Sequence, residues 1–546
     1  MKKFSEHKLI KNLKTYTFSI YSAGATFFSL IIVRLIIENW IANFGPRPFT
    51  FYFFEFLHTS LFFLLVFIIF TALLIKISKI PFSQSILLLL FGFTFIIFPP
   101  IFDWLISITF FNGANFMSYY LFDSINGLEK SFFTFFGDRP HDGITYGTRI
   151  MIACALFSLT LITWFKTKSL FRTISIIFIA YVIFFILSAF PSIITILFTN
   201  EHFTITRSSV AGFIASPTKI LGNQIINPIN AINIKMSFIY MGLVIITALS
   251  IIYKTRKSQM LSLLKNIRPI QTLYHIGLLF IGMGIAIMFN HAIILPSIFT
   301  ITALFILCFA IIIAWYATVI FNDIVDQDID KISNSHRPLI QKTIDEDSYK
   351  NIGIFLTILS ITLIAMINPH ASTLLIAYHA ISYLYNTPPL RLKRFPLIAT
   401  LLAAIASFFI VSIGFIIITP EHSLTGFPPH IVILLIIAYT ISLPIKDIKD
   451  IAGDKKNNIY TIPVLCGEKV GRLVIAIGIF SSFILSIFAL NNFALFFPAL
   501  LAGSLCFWVL TGQKKEQFVF TPLFTIGIVF FIVSIYGLIL ALSLIS

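Results

Sequence analysis

The sequence predicts an all-α polytopic membrane protein of about fifteen transmembrane helices, with a C-terminal nine-helix bundle preceded by about six helices. Three observations predict it. The 546 residues are 58% hydrophobic and only 11% charged, with 63 Phe, which excludes a soluble globular protein. Apolar runs recur at the length an α-helix needs to cross about 30 Å of hydrocarbon. Lys and Arg gather in alternate loops, which is the positive-inside pattern.

The N-terminus, MKKFSEHKLIKNLK, is basic, and the apolar stretch after it carries no small-residue cleavage site. It reads as a retained helix and not as a signal peptide. Six spans are predicted before residue 255, over 16–37, 51–75, 84–110, 148–165, 171–198 and 233–253. Lysines and arginines precede the first of these and follow the second, fourth and sixth. The N-terminus and the segment near 254–268 are therefore expected on the cytoplasmic side. That basic segment, YKTRKSQMLSLLKNIRP, marks a domain boundary between 1–255 and 265–546. Nine spans follow, over 271–293, 297–321, 351–368, 371–386, 396–419, 430–446, 470–490, 493–511 and 520–545.

The net charge of +16 follows this topology and does not call for a nucleic-acid partner. Cys154, Cys308, Cys466 and Cys506 are dispersed, without paired or metal-ligand spacing, and read as packing residues.

Half of the acidic residues lie in two loops of one predicted face: of 22, seven fall in 323–347 and four in 447–468. Solvation of loop surface would not concentrate them so. The first cluster is FNDIVDQDID, at the end of the run ITALFILCFAIIIAWYATVI. On one continuous helix Asn322, Asp326 and Asp330 share a face at i, i+4 and i+8, and Asp323 borders it. The second cluster, KDIKDIAGD, places Asp447, Asp450 and Asp454 at the spacing of Asp323, Asp326 and Asp330. A single helix-end DxxxD is often only a solvated cap. Two such clusters with matched spacing, each after an apolar span, point instead to a cation held between them.

Aspartate oxygens without Cys or nearby His are hard ligands, suited to Mg²⁺ or Ca²⁺. An EF-hand is excluded, because Lys331 stands where that loop needs Gly and Arg337 where it needs the bidentate Glu. Mg²⁺ is usually held by a few carboxylates together with substrate phosphates. Arg337, Lys342, Arg391, Lys393, Lys446 and Lys455 lie beside the clusters and suit a diphosphate, although each also serves the positive-inside pattern. Tyr316, Tyr383, Tyr385 and Tyr439 offer ring faces to a carbocation, or else pack.

At this point the residues reach a family. The second half, about 265–546, resembles the UbiA-type intramembrane prenyltransferases. Their first motif, NDxxDxxxD followed six residues later by RP, is matched by NDIVDQDIDKISNSHRP (322–338). Their second, KDxxDxxGDxxxxxxTxP, is matched by KDIKDIAGDKKNNIYTIP (446–463). YNTPPLRLKR (385–394) resembles their YSxPPLRLKR segment, RP at 268–269 also fits, and nine helices is the family's number. The chain departs from the pattern at Ser333, Asn334 and Ser335, where members often carry a basic residue and Pro, and in LIQKTI after the RP, where Lys342 stands in for the usual basic residue.

The resemblance implies a Mg²⁺-dependent prenyltransferase. Asp326, Asp330, Asp450 and Asp454 would be the catalytic carboxylates. With Asn322, and supported by Asp323 and Asp447, they would form the metal set. Asn322, Arg337, Lys342, Arg391, Lys393, Lys446 and Tyr385 would bind an isoprenyl diphosphate donor that enters from membrane lipid. The product would be a prenylated aromatic or lipid acceptor of quinone or prenyl-lipid biosynthesis. The second motif leans toward the branch acting on geranylgeranylglyceryl phosphate, chlorophyllide or homogentisate. The expected location is the cell membrane, with the Asp motifs cytoplasmic.

Residues 1–255 carry no recognisable motif. HDG at 141–143 reads as a turn. Two alternatives to the transferase stay open, a cation-coupled membrane transporter and a catalytically inactive homologue.

Overall fold

The computed structural model describes residues 20–41, 47–109, 125–137, 144–199, 206–225, 227–449, 451, 455, 460–512 and 522–545. Among these, 12 helices are long and apolar enough to cross a membrane. Two shorter apolar helices, Pro429–Ile445 and Phe524–Gly537, occupy two further predicted spans. Pro369–Asn386 occupies another. The chain is an all-α polytopic membrane protein. The strands among the described residues are the short pair Thr218–Ile220 and Asn223–Ile225. Large apolar side chains such as Phe171, Leu397 and Phe497 face outward, more than two thirds exposed, as a bilayer-facing surface requires. The chain divides into two compact units, Met1–Thr218 with Ile225–Lys254, and Lys219–Gln224 with Thr255–Ser546.

In the first unit, sequence chemistry sets the breaks. Phe82–Phe93 passes through a tight 3₁₀ turn at Thr94–Ile97 before Phe98–Thr109, where Pro99 and Pro100 remove two backbone donors. The run predicted as one span over 171–198 is two helices, Leu170–Ser188 and Phe190–Phe198. Pro191 explains the break, because it cannot continue the helical ladder and sits at the start of the second helix. Arg149 donates to the carbonyls of Phe136, Gly137 and Ile144, tying the start of Tyr146–Thr167 to the preceding loop. The HDG triplet at 141–143 lies outside the described residues.

The second unit contains α1 (Lys257–Lys265), α2 (Pro269–Asn290), α3 (Ile298–Val325), α4 (Gln327–Ser333), α5 (Glu346–Ile367), α6 (Pro369–Asn386), α7 (Pro396–Ile418), α8 (Pro429–Ser442), α9 (Ile462–Cys466), α10 (Glu468–Ala489), α11 (Phe496–Thr511) and α12 (Pro522–Ile545). Proline in the first turn opens α2, α6, α7 and α8, where its missing N–H would have no helical partner anyway. Ser297 and Asp345 cap α3 and α5 by accepting the amides of Thr300 and Ser348.

Small residues let these helices approach closely, as in membrane bundles generally. A Cβ at Gly282 of α2 would lie 1.8 Å from the Val411 carbonyl oxygen of α7, and one at Gly414 would lie 2.0 Å from that of Leu279. Only glycine permits that contact, and it seats α2 against α7. The α10–α12 side packs Ile475, Ile479, Phe483, Cys506, Leu510 and Tyr536 into one cluster. Cys506 is thus the packing residue expected, while Cys154 and Cys466 are exposed, and no cysteine among the described residues is paired.

Candidate active site

The first acidic cluster sits at the end of α3. The helix stops at Asp326, whose φ of −99° and ψ of 18° leave the helical region, and α4 begins at the next residue. The single continuous helix expected from the sequence is therefore two. The i to i+4 ladder nevertheless crosses the break: Asp326 N donates to Asn322 O and Asp330 N to Asp326 O, each at 2.9 Å. Asn322, Asp326 and Asp330 accordingly keep one face.

Cations from distant parts of the chain converge on that face. Arg391 Nη2 lies 2.7 Å from Asp326 Oδ1, and Lys393 Nζ lies 2.5 Å from Asp326 Oδ2 and 3.2 Å from Asn322 Oδ1. Both belong to the turn after α6, where Arg391 adopts a left-handed conformation (φ 42°) and Leu392–Arg394 forms one 3₁₀ turn. Arg337 Nη1 pairs with Asp323 and, at 2.5 Å, with Asp330 Oδ2. Asn334 Nδ2 donates to Asp330 Oδ1 at 3.1 Å, so a residue of the departing Ser333–Asn334–Ser335 segment contributes to the cluster. Burial pushes the Asp330 carboxyl up to about 6, against the pull of Arg337.

Asp323 has a different environment. It is 2% exposed and accepts from Asn266 Nδ2 (2.7 Å), Tyr349 OH (3.1 Å), Arg268 Nη2 (3.1 Å) and Arg337 Nη1. Asn266 and Tyr349 belong to no sequence motif, and Arg268 belongs to the basic segment near 254–268 and the RP pair at 268–269. They lie 57, 26 and 55 residues from Asp323, and no periodic or spacing signal links them.

The other expected residues distribute as follows. Lys342 is exposed, and Tyr385 is half-buried near the end of α6. Lys446 and Asp447 lie in the 3₁₀ segment Leu443–Lys449, with Asp447 half-buried. Asp450 and Asp454 lie outside the described residues. Tyr316 is buried, with its hydroxyl donated to Leu263 O at 2.8 Å, so it packs α1 against α3. Tyr383 is 59% exposed.

Among the described residues no three His, Cys, Asp or Glu side chains form a metal cage. The oxygen donors Asn322, Asp326 and Asp330 are engaged by side-chain cations and an amide. Hard oxygens balanced by paired positive charge are the donor set that Mg²⁺ and a phosphate ligand can share.

Residues 278–535 match the model of the UbiA prenyltransferase family. The chain is 26% identical over 217 residues to a digeranylgeranylglyceryl phosphate synthase of Methanococcoides burtonii, a match covering 39% of this chain and 67% of that protein. It is 27% identical over 212 residues to the chloroplastic homogentisate solanesyltransferase of Arabidopsis thaliana, covering 35% and 53%. The chain thus spans about two thirds of the first relative and about half of the second. A UbiA homolog from Archaeoglobus fulgidus, solved bound to DMAPP and Mg²⁺, aligns with a TM-score of 0.39 at 17% identity, over 51% of this chain and 99% of that one.

Proposed function

We propose that the C-terminal domain transfers an isoprenyl group from a polyprenyl diphosphate to a lipid-soluble or aromatic acceptor, in a Mg²⁺-dependent reaction at the cytoplasmic mouth of the bundle. The observation that carries this reading is the convergence of Arg337, Arg391 and Lys393 on Asn322, Asp326 and Asp330 at the end of α3. Carboxylates alone would suit a bare cation. Carboxylates interleaved with two guanidiniums and an ammonium suit a polyanion whose charge is shared with a metal.

In this reading Asn322, Asp326 and Asp330, with Asp450 and Asp454 of the second motif, hold Mg²⁺, and Asp323 and Asp447 support them. Bound there, Mg²⁺ supplies Lewis-acid stabilisation of the departing diphosphate. Arg337, Arg391, Lys393 and Lys446 bind the diphosphate oxygens, with Lys342 and Tyr385 at the margin. Substrate binding exchanges partners: Arg391 and Lys393 move from Asp326 to phosphate oxygen, so neither a buried cation nor a buried anion is left unpaired. The allylic C–O bond breaks and its electron pair leaves with the diphosphate. The apolar bundle keeps water from the resulting cation. The acceptor nucleophile forms the new bond and then loses a proton.

The acceptor reading favours a glycerol-phosphate lipid or a homogentisate-like phenol, because the relatives bear those names. A coupling-ion site of a transporter would lie near the membrane midplane, whereas these acids close a 28-residue helix at its end. The N-terminus and both motifs are assigned to the cytoplasmic side of the cell membrane on the charge pattern.

The test is product identification. Full-length protein in nanodiscs, given labelled geranylgeranyl diphosphate with Mg²⁺, is offered geranylgeranylglyceryl phosphate, homogentisate and 4-hydroxybenzoate separately. A prenylated product from one of the first two supports the reading. Absence of any product, with no donor binding, refutes it.

A further inference from the structure

We propose that Asp323 is a positioning residue and not a metal ligand: through it, Asn266 and Tyr349 fix Arg268 and Arg337 in the orientation that receives the diphosphate. This role rests on the transferase reading above and adds residues to it that neither motif contains.

A carboxylate offers about four lone-pair sites. At Asp323 all are taken: Asn266 Nδ2 and Tyr349 OH meet Oδ2, and Arg268 Nη2 and Arg337 Nη1 meet Oδ1. Asn266 Nδ2 also lies 2.9 Å from Tyr349 OH, which closes a small ring of polar contacts. Asn266 is 4% exposed, Tyr349 0% and Asp323 2%, so water replaces none of these bonds.

Two of the four donors are neutral and carried by secondary structure. Asn266 caps the end of α1, and Tyr349 stands in the first turn of α5. Helix α1 is itself held, by Tyr316 OH on Leu263 O at 2.8 Å and by the 2.7 Å contact of Ser262 with Thr343. A metal ion taking Asp323 would strand a buried amide and a buried phenol, neither of which can follow the phosphate. At Asp326, by contrast, both partners are cations that can. Arg337 joins the two regimes, with one nitrogen on both Asp323 and Asp330.

The experiment uses full-length protein in nanodiscs with Mn²⁺ followed by EPR, geranylgeranyl S-thiolodiphosphate as a slowly reacting donor analogue, and thermal melting. Asp323→Asn is expected to bind the wild-type number of Mn²⁺ ions while weakening analogue affinity about tenfold, the loss typical of disordering a charge-assisted contact. Asp326→Asn is expected to lower the number of Mn²⁺ ions bound. Loss of Mn²⁺ from Asp323→Asn equal to that from Asp326→Asn would overturn the proposal in favour of a ligand. A lowered melting temperature with unchanged analogue affinity would overturn it in favour of a purely structural role. Should Asp323→Asn fail to fold, Tyr349→Phe removes one donor and keeps the ring. It is expected to weaken the analogue about threefold, and unchanged affinity overturns the proposal. Wild-type protein that binds neither Mn²⁺ nor analogue would instead refute the transferase reading, a result separable from all of these.

Discussion

Asp323 and Asp326 are one helical turn apart, both more than nine-tenths buried, yet their surroundings are opposite in kind. Asp323 is enclosed by an amide, a phenol and two guanidiniums that arrive from the α1–α2 link, α5 and the segment after α4. Asp326 is met by Arg391 and Lys393 from a single turn. A buried charge must be compensated, but the compensation differs in how readily it exchanges. Neutral donors locked into helices compensate one state only. Cations on a turn can compensate more than one anion, here the Asp326 carboxylate and, in the proposed reaction, a phosphate. Counting acids in a motif misses this difference, which separates two kinds of partner set within four residues.

The largest effect should come from breaking the exchangeable corner. Asp326→Ala is expected to lower kcat/KM for Mg²⁺-dependent transfer on the order of 10²–10³-fold, as for loss of one preorganised transition-state contact. Steady-state kinetics on folded protein check this. Lys393→Met should come next. It leaves Asp326 with Arg391 alone and should destabilise the metal-free protein by about 2 kcal/mol. Mg²⁺ with the donor analogue should restore part of that loss, because Asp326 then has a metal partner. A thermal shift insensitive to both would place Lys393 in the frame instead.

A smaller effect tests Asp330. Its carboxyl is raised to about 6, chiefly by burial. Below that value a proton occupies the group and must leave before a metal binds. Mg²⁺ affinity should therefore be flat above pH 6 and fall by up to about tenfold per pH unit below it. Calorimetry at pH 5 and pH 7 distinguishes this from a pH-independent site. The smallest effect should follow Lys342→Ala. That side chain is exposed, and its removal should change kcat/KM by less than about twofold. A large loss would extend the diphosphate clamp beyond Arg337, Arg391, Lys393 and Lys446.

The sequence carried the helical spans and the shared face of Asn322, Asp326 and Asp330 because both are periodic properties. Apolar runs reported the spans, and the i, i+4, i+8 spacing of Asn322, Asp326 and Asp330 survived even a helix break at Asp326. That break was not legible, since it lies between residues of ordinary helical propensity. The split of 171–198 was legible in principle from Pro191. The Asp323 frame was not: Asn266 and Tyr349 reach it across 57 and 26 residues by tertiary packing, which leaves no local trace. Tyr316 takes the packing alternative, its hydroxyl spent on the backbone carbonyl of Leu263.

The most direct test of the central claim is pyrophosphate release by the full-length protein from geranylgeranyl diphosphate, with acceptor and Mg²⁺ each supplied or withheld. Release is expected to require both, to stop with EDTA and to disappear in Asp326→Ala. Release that persists in EDTA or in Asp326→Ala would contradict that claim.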